Sequence, residues 1–132
     1  MNPEQLLFAK THEWVHVEPK SDGPEIATVG ISAFAVEALT DLVFMQLPQV
    51  GHNVAVGQSI GEIESVKAVS DIYSPVSGQV VEVNTELPDK LETLSTDPYG
   101  AGWIVKIELD TPLPDDLMDY AAYQKQCAEE GH

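Results

Sequence analysis

Apolar and polar positions alternate in short runs along most of the chain, with turn-forming residues between the runs. In "HEWVHVE", Trp14 and His16 fall on one parity and Val15 and Val17 on the other. That is the period of a β-strand, whose successive side chains point to opposite faces. "EIATVGI", "LVFMQL" and "WIVKIEL" read as further strands, with Pro48 stopping the second and "TPLPDD" breaking the third. "AVSDIYSPVSGQVVEVN" reads as strand, turn, strand, and Pro19 to Pro24, "PKSDGP", as a turn. "VGHNVAVGQSIGEIESV" carries glycines spaced as turns and bulges. Helix is confined to two places. Ser32 caps a short one whose face is Phe34, Ala35, Ala38 and Leu39. Asp119 caps a final one with Tyr120, Tyr123 and Cys127 at i, i+3 and i+7, while "LPDKLETLSTDPYGAG" is loop or short turns of helix. The expectation is a mainly β chain with turns at the spacing of a sandwich or barrel.

One weak repeat interrupts this pattern. "GHNVAV" from Gly51 and "GQVVEV" from Gly78 share G-x-x-V-x-V on either side of Lys67. Two half-units meeting at a lysine hairpin would form a pseudo-two-fold sandwich with the lysine at its tip.

Composition narrows the classes. The 132 residues suit one domain, expected to have a core over about 6–110 and a C-terminal helical segment over about 114–128. The formal charge of −16 repels phosphates and anionic lipid, which argues against nucleic-acid and membrane partners. It favours encounter with basic surfaces, and it also serves solubility. Cys127 is alone, so no intrachain disulfide forms, in keeping with a reducing compartment. The start, "MNPEQLLFAK", lacks the basic and apolar regions of a secretory signal and is too acidic and short for a transit peptide.

"HEWVH", His12 to His16, fits the zinc-protease pattern H-E-x-x-H. The pattern works on a helix, where residues four apart rise only about 6 Å. On a strand the same residues lie about 13 Å apart and cannot share a metal. With β-branched Val15 and Val17 and a following Pro19, the segment reads as a surface strand with two exposed histidines.

The basic side chains are six lysines, at 10, 20, 67, 90, 106 and 125. Lys67 is set between Val66 and Ala68, with strand-like segments on both sides. A lysine so presented is held at Cα and free at Nζ, the geometry needed by a modifying enzyme or a swinging cofactor arm. "GEIESVKAVSDIYSPVSGQVVEVN" resembles the lipoyl-lysine segment of the H-protein family of the glycine cleavage system. "THEWV", "ATVGIS", "LVFMQLPQVG" and "DPYGAGWIVKI" match that family in order, over about residues 6 to 126. Biotin carriers typically hold the lysine between methionines. Lipoyl domains of 2-oxo acid dehydrogenases tend to have Asp directly before it and lack the "HEWV" and "DPYGAGW" blocks. Phe34 stands where the family often has tyrosine or histidine, Val36 where it often has glutamine, and Thr40 where glycine is common.

The resemblance implies a barrel-sandwich hybrid, a lipoyl-domain-like sandwich of small antiparallel sheets, with a short helical insert and a C-terminal helix. It implies a carrier and not an enzyme, with lipoate in amide linkage on Lys67. Glycine decarboxylase, a pyridoxal-phosphate enzyme, would load an aminomethyl group on the arm. Aminomethyltransferase would pass its carbon to tetrahydrofolate, and dihydrolipoyl dehydrogenase would reoxidise the dithiol. The family's retention cleft maps onto Glu13, Asp71 and Thr11, the last replacing a common serine. Glu64 falls on the surface read by the lipoate-attaching enzyme. Trp14 and Trp103 are expected as core or cleft wall, and "DPYGAGW" as a packed loop. The expected compartment is bacterial cytoplasm, or the mitochondrial matrix for a processed eukaryotic chain. The alternative reading is a lipoyl carrier or lipoate-relay domain serving a 2-oxo acid dehydrogenase or lipoate transfer. An independent enzyme would need a nucleophile with its base, or converging metal ligands, and four scattered histidines with one Cys offer neither.

Overall fold

A computed structural model describes residues 2–18 and 23–130. The strands are β1 (Leu7–Phe8), β2 (Glu13–Glu18), β3 (Ile26–Ile31), β4 (Leu42–Gln46), β5 (Asn53–Val54), β6 (Ser59–Ser65), β7 (Val69–Tyr73), β8 (Gly78–Val83) and β9 (Val105–Leu109). The helices are α1 (Ala33–Leu39), α2 (Glu92–Thr96) and α3 (Tyr120–Glu130). Among the described residues all pairings are antiparallel and form two sheets, β1-β2-β3-β9-β8-β5 and β4-β6-β7. Residues 19–22, the body of the expected "PKSDGP" turn, lie outside the described residues. The strands on either side pair from Glu18↔Ile26 to Glu13↔Ile31.

Alternation in β2 serves two cores instead of one wet and one dry face. Val15 joins the main cluster with Val29, Ile63, Ile72 and Ile107. Trp14, of the other parity, joins a second cluster with Leu6, Phe8 and Tyr123. Each fully buried aliphatic side chain is worth about 1.5–3 kcal/mol, so the two clusters hold sheet and C-terminal helix together. Gly30 is Trp14's register partner, and a Cβ there would lie 2.5 Å from the indole. The indole Nε1–H reaches the Pro98 carbonyl at 3.0 Å, tying strand to the "DPYGAGW" loop. That loop is packed as expected, with Gly100 and Gly102 N–H both donating to the Asp97 carbonyl.

Three expectations change. The inward side of α1 is Ala35, Val36 and Leu39, with Val36 buried and Ala38 exposed. The valine repeat does not mark equivalent positions, because Val54 is buried while its counterpart Val81 is exposed. Its two segments pair with each other as β5 and β8, in the sheet that does not carry Lys67. The third concerns the histidines of "HEWVH", neither of which is exposed: His12 precedes β2 at φ 83 and is only 18% exposed, and His16 is half-buried. β4 edges the three-stranded sheet, and its Val43 and Phe44 are 56% and 48% exposed. α3 runs from Tyr120 to Glu130, capped by Asp119 through the Ala122 N–H at 2.9 Å. Just before it, Met118 pairs with Phe8, which keeps that stretch extended.

Candidate functional site

Lys67 lies in the tight connection between β6 and β7, and Ser65 builds that connection. Ser65 Oγ accepts from the N–H groups of Lys67 at 3.3 Å and Ala68 at 3.1 Å. It donates to the Ala68 carbonyl at 3.3 Å. A serine hydroxyl bonding its own backbone a few residues on is a standard turn-former. The Val66 N–H donates to the Asp41 carbonyl at 2.9 Å, tethering the tip to the start of β4. Lys67 itself is exposed, and among the described residues its ammonium makes no ion pair or hydrogen bond. The backbone is held while the nucleophilic nitrogen stands in solvent.

A cleft of about 740 Å³ opens beside the same hairpin. One wall is β7 with Val69, Asp71 and Tyr73, a second is α1 with Phe34 and Ala38, and the floor is the turn Lys10–Glu13. Thr11, Glu13 and Asp71 thus line one cavity, though Asp71 lies far along the chain from the other two. Glu13 is 2% exposed, and its partners are neutral. The Thr11 hydroxyl donates to one carboxyl oxygen and the Tyr73 N–H to the other, the latter at 3.2 Å. Burial pushes the Glu13 carboxyl up to about 7, and these two donors only partly offset it. Asp71 is exposed and accepts from the Tyr73 hydroxyl at 3.4 Å. The cleft therefore holds one buried carboxyl that makes no ion pair among the described residues and one solvated carboxylate at its mouth, with Lys10 and His12 also lining it.

Glu64 does not line the cleft. It sits on β6 between Phe44 of β4 and Val69 of β7, in the row that leads to the lysine turn. Trp14 and Trp103 do not line it either. Trp14 is core, and Trp103 stacks under the Lys106 ammonium at 5.2 Å. The H-E-x-x-H residues do not converge: His16 is on the strand, whereas His12 turns toward α3. Among the described residues no group of three His, Cys, Asp or Glu is placed to hold a metal.

A buried acid beside a held, solvent-facing lysine is the arrangement to compare with known proteins. The family model for the glycine cleavage H-protein matches residues 6–130. The chain belongs to the glycine cleavage H-protein family. Within that family it is 57% identical over 130 residues to the glycine cleavage system H protein of Rhodopirellula baltica, covering 98% of each chain. It is 47% identical to that of Thermotoga maritima, covering 93% of this chain and 96% of the relative. A crystal structure of a glycine cleavage system H protein from Mycobacterium marinum superposes with a TM-score of 0.83 at 42% identity, covering 99% of this chain and 100% of that one. The H-protein fold is the lipoyl-domain-like barrel-sandwich, and the two antiparallel sheets here conform to it. Among the described residues no helix is long and apolar enough to cross a membrane.

Two contributors to this H-protein site escape a reading of the sequence. Ser65 carried a usable signal, a serine directly before a short turn. The Tyr73 N–H carried none, since any strand residue has one.

Proposed function

We propose that this H-protein family member is a lipoyl carrier whose arm is attached at Lys67. The chain performs no turnover chemistry of its own: it presents one group to several enzymes. The residues fit that group. Lys67 offers an unpaired amine between the small or slender neighbours Val66 and Ala68. The cleft begins at Val69, two residues after Lys67 and the first residue of β7, and Asp71 is a further two residues, about 7 Å, along that strand. A lysine stem plus lipoyl chain, with about a dozen rotatable bonds, spans that distance. When bound, lipoate supplies a disulfide and dithiol able to take up an aminomethyl group and to be reoxidised.

The protein's own part is retention. The cargo's ammonium enters the cleft, where Glu13 and Asp71 supply negative charge and Thr11 orients the Glu13 carboxyl. Phe34 and Ala38 limit access of water. The observation that carries this reading is Glu13: a carboxyl 2% exposed, with neutral partners only, facing a cavity beside the lysine hairpin. Partners are a pyridoxal-phosphate glycine decarboxylase, an aminomethyltransferase, a dihydrolipoyl dehydrogenase and the lipoate-attaching enzyme. Glu64, in the row next to the lysine turn, is part of the face the attaching enzyme reads. The acidic surface suits partners with basic faces, and the working compartment is the cytoplasm.

The test has two arms. Intact mass and peptide mapping of protein from its native host should find one lipoyl group, on Lys67, and none in Lys67→Arg. Lipoate on another lysine overturns the attachment site. In the second arm, ammonia and formaldehyde release is followed from loaded wild type, Glu13→Ala and Asp71→Ala. A charge-assisted contact worth about 1.5–3 kcal/mol predicts a roughly ten- to hundredfold shorter adduct lifetime. Equal lifetimes in all three proteins overturn the retention role.

A further inference from the structure

We propose that Tyr123, on α3, is a positioning residue for this cleft, acting through His12 on the turn that presents Thr11 and Glu13. The proposal rests on the reading of the cleft given above and adds to it a remote element that sets its shape.

The turn between β1 and β2 is clamped by α3 at three points. The Gln126 Nε2 donates to the Lys10 carbonyl at 2.8 Å. The Tyr123 hydroxyl meets His12 Nδ1 at 2.7 Å, and Glu130 meets His12 Nε2 at 3.3 Å. The imidazole is stacked on Phe34 of α1 at 5.2 Å, so it is fixed on its face as well as at both nitrogens. This fixing has a purpose in backbone terms. His12 has φ 83, a left-handed conformation that a histidine holds only when its surroundings determine it. Thr11 and Glu13 are its two chain neighbours, and that backbone conformation decides the mutual aim of their side chains.

The Glu130 carboxylate can only accept, so His12 Nε2–H donates to it; with the imidazole neutral, Nδ1 then accepts from the Tyr123 hydroxyl, whose oxygen accepts from the Ser32 hydroxyl. Ser32 Oγ in turn accepts the Ala35 N–H as the cap of α1. One phenol therefore links the cleft wall α1, the cleft floor and the C-terminal helix. Its ring is held elsewhere: it stacks on Phe8 at 4.3 Å with an interplanar angle of 6°, in the second core. Packing and positioning are thus separable, because a phenylalanine keeps the stack and loses only the links.

The experiment uses full-length lipoylated protein, with loading checked by intact mass. Tyr123→Phe loses the links to both His12 and Ser32, and should shorten the lifetime of the aminomethyl adduct about two- to tenfold, the weight of the His12 hydrogen bond that holds the turn. His12→Asn, which tolerates the left-handed backbone but does not reach Tyr123, should do the same and carries the test if Tyr123→Phe folds poorly. In a Glu13→Gln background the Tyr123→Phe loss should shrink to within about twofold, since interacting sites are not additive. A loss of full size there overturns the proposal, as does an unchanged lifetime in both single variants.

A second readout needs no cargo. The carboxyl of Glu13 is titrated by carbon NMR in the unloaded proteins. The titratable groups sharing the cleft with it are Lys10, His12, Asp71, Tyr73 and Glu130. Loss of the Thr11 hydrogen bond should move the Glu13 midpoint upward in Tyr123→Phe and His12→Asn, because that bond favours the carboxylate. A midpoint equal to wild type in both variants overturns the positioning role. Should Glu13→Gln alone leave the lifetime unchanged, the retention reading fails instead, and the titration still decides the role of Tyr123.

Discussion

Glu13→Gln should stabilise the unloaded protein at alkaline pH while weakening its hold on cargo. The carboxyl is 2% exposed and titrates near 7 in the fold, against an ordinary value of 4.5. The folded state therefore holds the proton more tightly than the unfolded chain. Its contribution to stability is complete below about pH 4.5 and is lost as pH rises through about 7. At about 1.4 kcal/mol per pH unit, ionising Glu13 costs the fold about 3 kcal/mol. Glutamine is isosteric and never ionises. Its carbonyl accepts the Tyr73 N–H, and its amide meets Thr11 Oγ with the donor reversed. The assay is urea or thermal unfolding of both proteins from about pH 5 to about pH 8. The difference between them cancels the general repulsion among the other acidic side chains. Wild type should lose about 2.5 kcal/mol relative to the variant over that range, or roughly 10 °C in Tm for a chain of this size. The same variant should release loaded cargo faster than wild type. Parallel stability curves across the range would mean that Glu13 is already ionised at pH 5, and the argument from burial would be wrong.

Three further outcomes are expected. Ser65→Ala removes three hydrogen bonds from the lysine turn, so amide exchange at Lys67 and Ala68 should quicken and lipoylation slow, with little change in Tm; unaltered exchange would deny Ser65 its role. Thr40 ends α1 at φ 62 and ψ −131, a conformation glycine adopts freely and β-branched residues avoid, so Thr40→Gly should gain about 1 kcal/mol by chemical denaturation, and a loss would contradict it. The chain should give β-dominated circular dichroism and one cooperative unfolding transition, and two separated transitions would show that the two core clusters unfold independently.

Local chemistry in the sequence determined a good deal here. Period-two alternation, Pro48 and the glycine-marked turns were enough for most strands. Ser32 and Asp119 announced the caps of α1 and α3, because capping is settled within a few residues. The co-linear blocks around Lys67 carried the family. What local pattern could not decide is which face of an element meets what. Alternation in β2 does not say that Trp14 and Val15 enter different cores, since that depends on α3 returning to cover Trp14. "LVFMQL" reads as a strand, but only the sheet order makes it an edge with Val43 and Phe44 exposed. "HEWVH" presents two equivalent histidines, yet one is turned into a contact with a helix more than a hundred residues away. Glu13 is the clearest case. Its identity can be read from one letter, but its proton affinity comes from burial by segments distant in the chain, offset only in part by donors such as the N–H of Tyr73. Desolvation is a property of the assembled surroundings, and only the tertiary structure sets it.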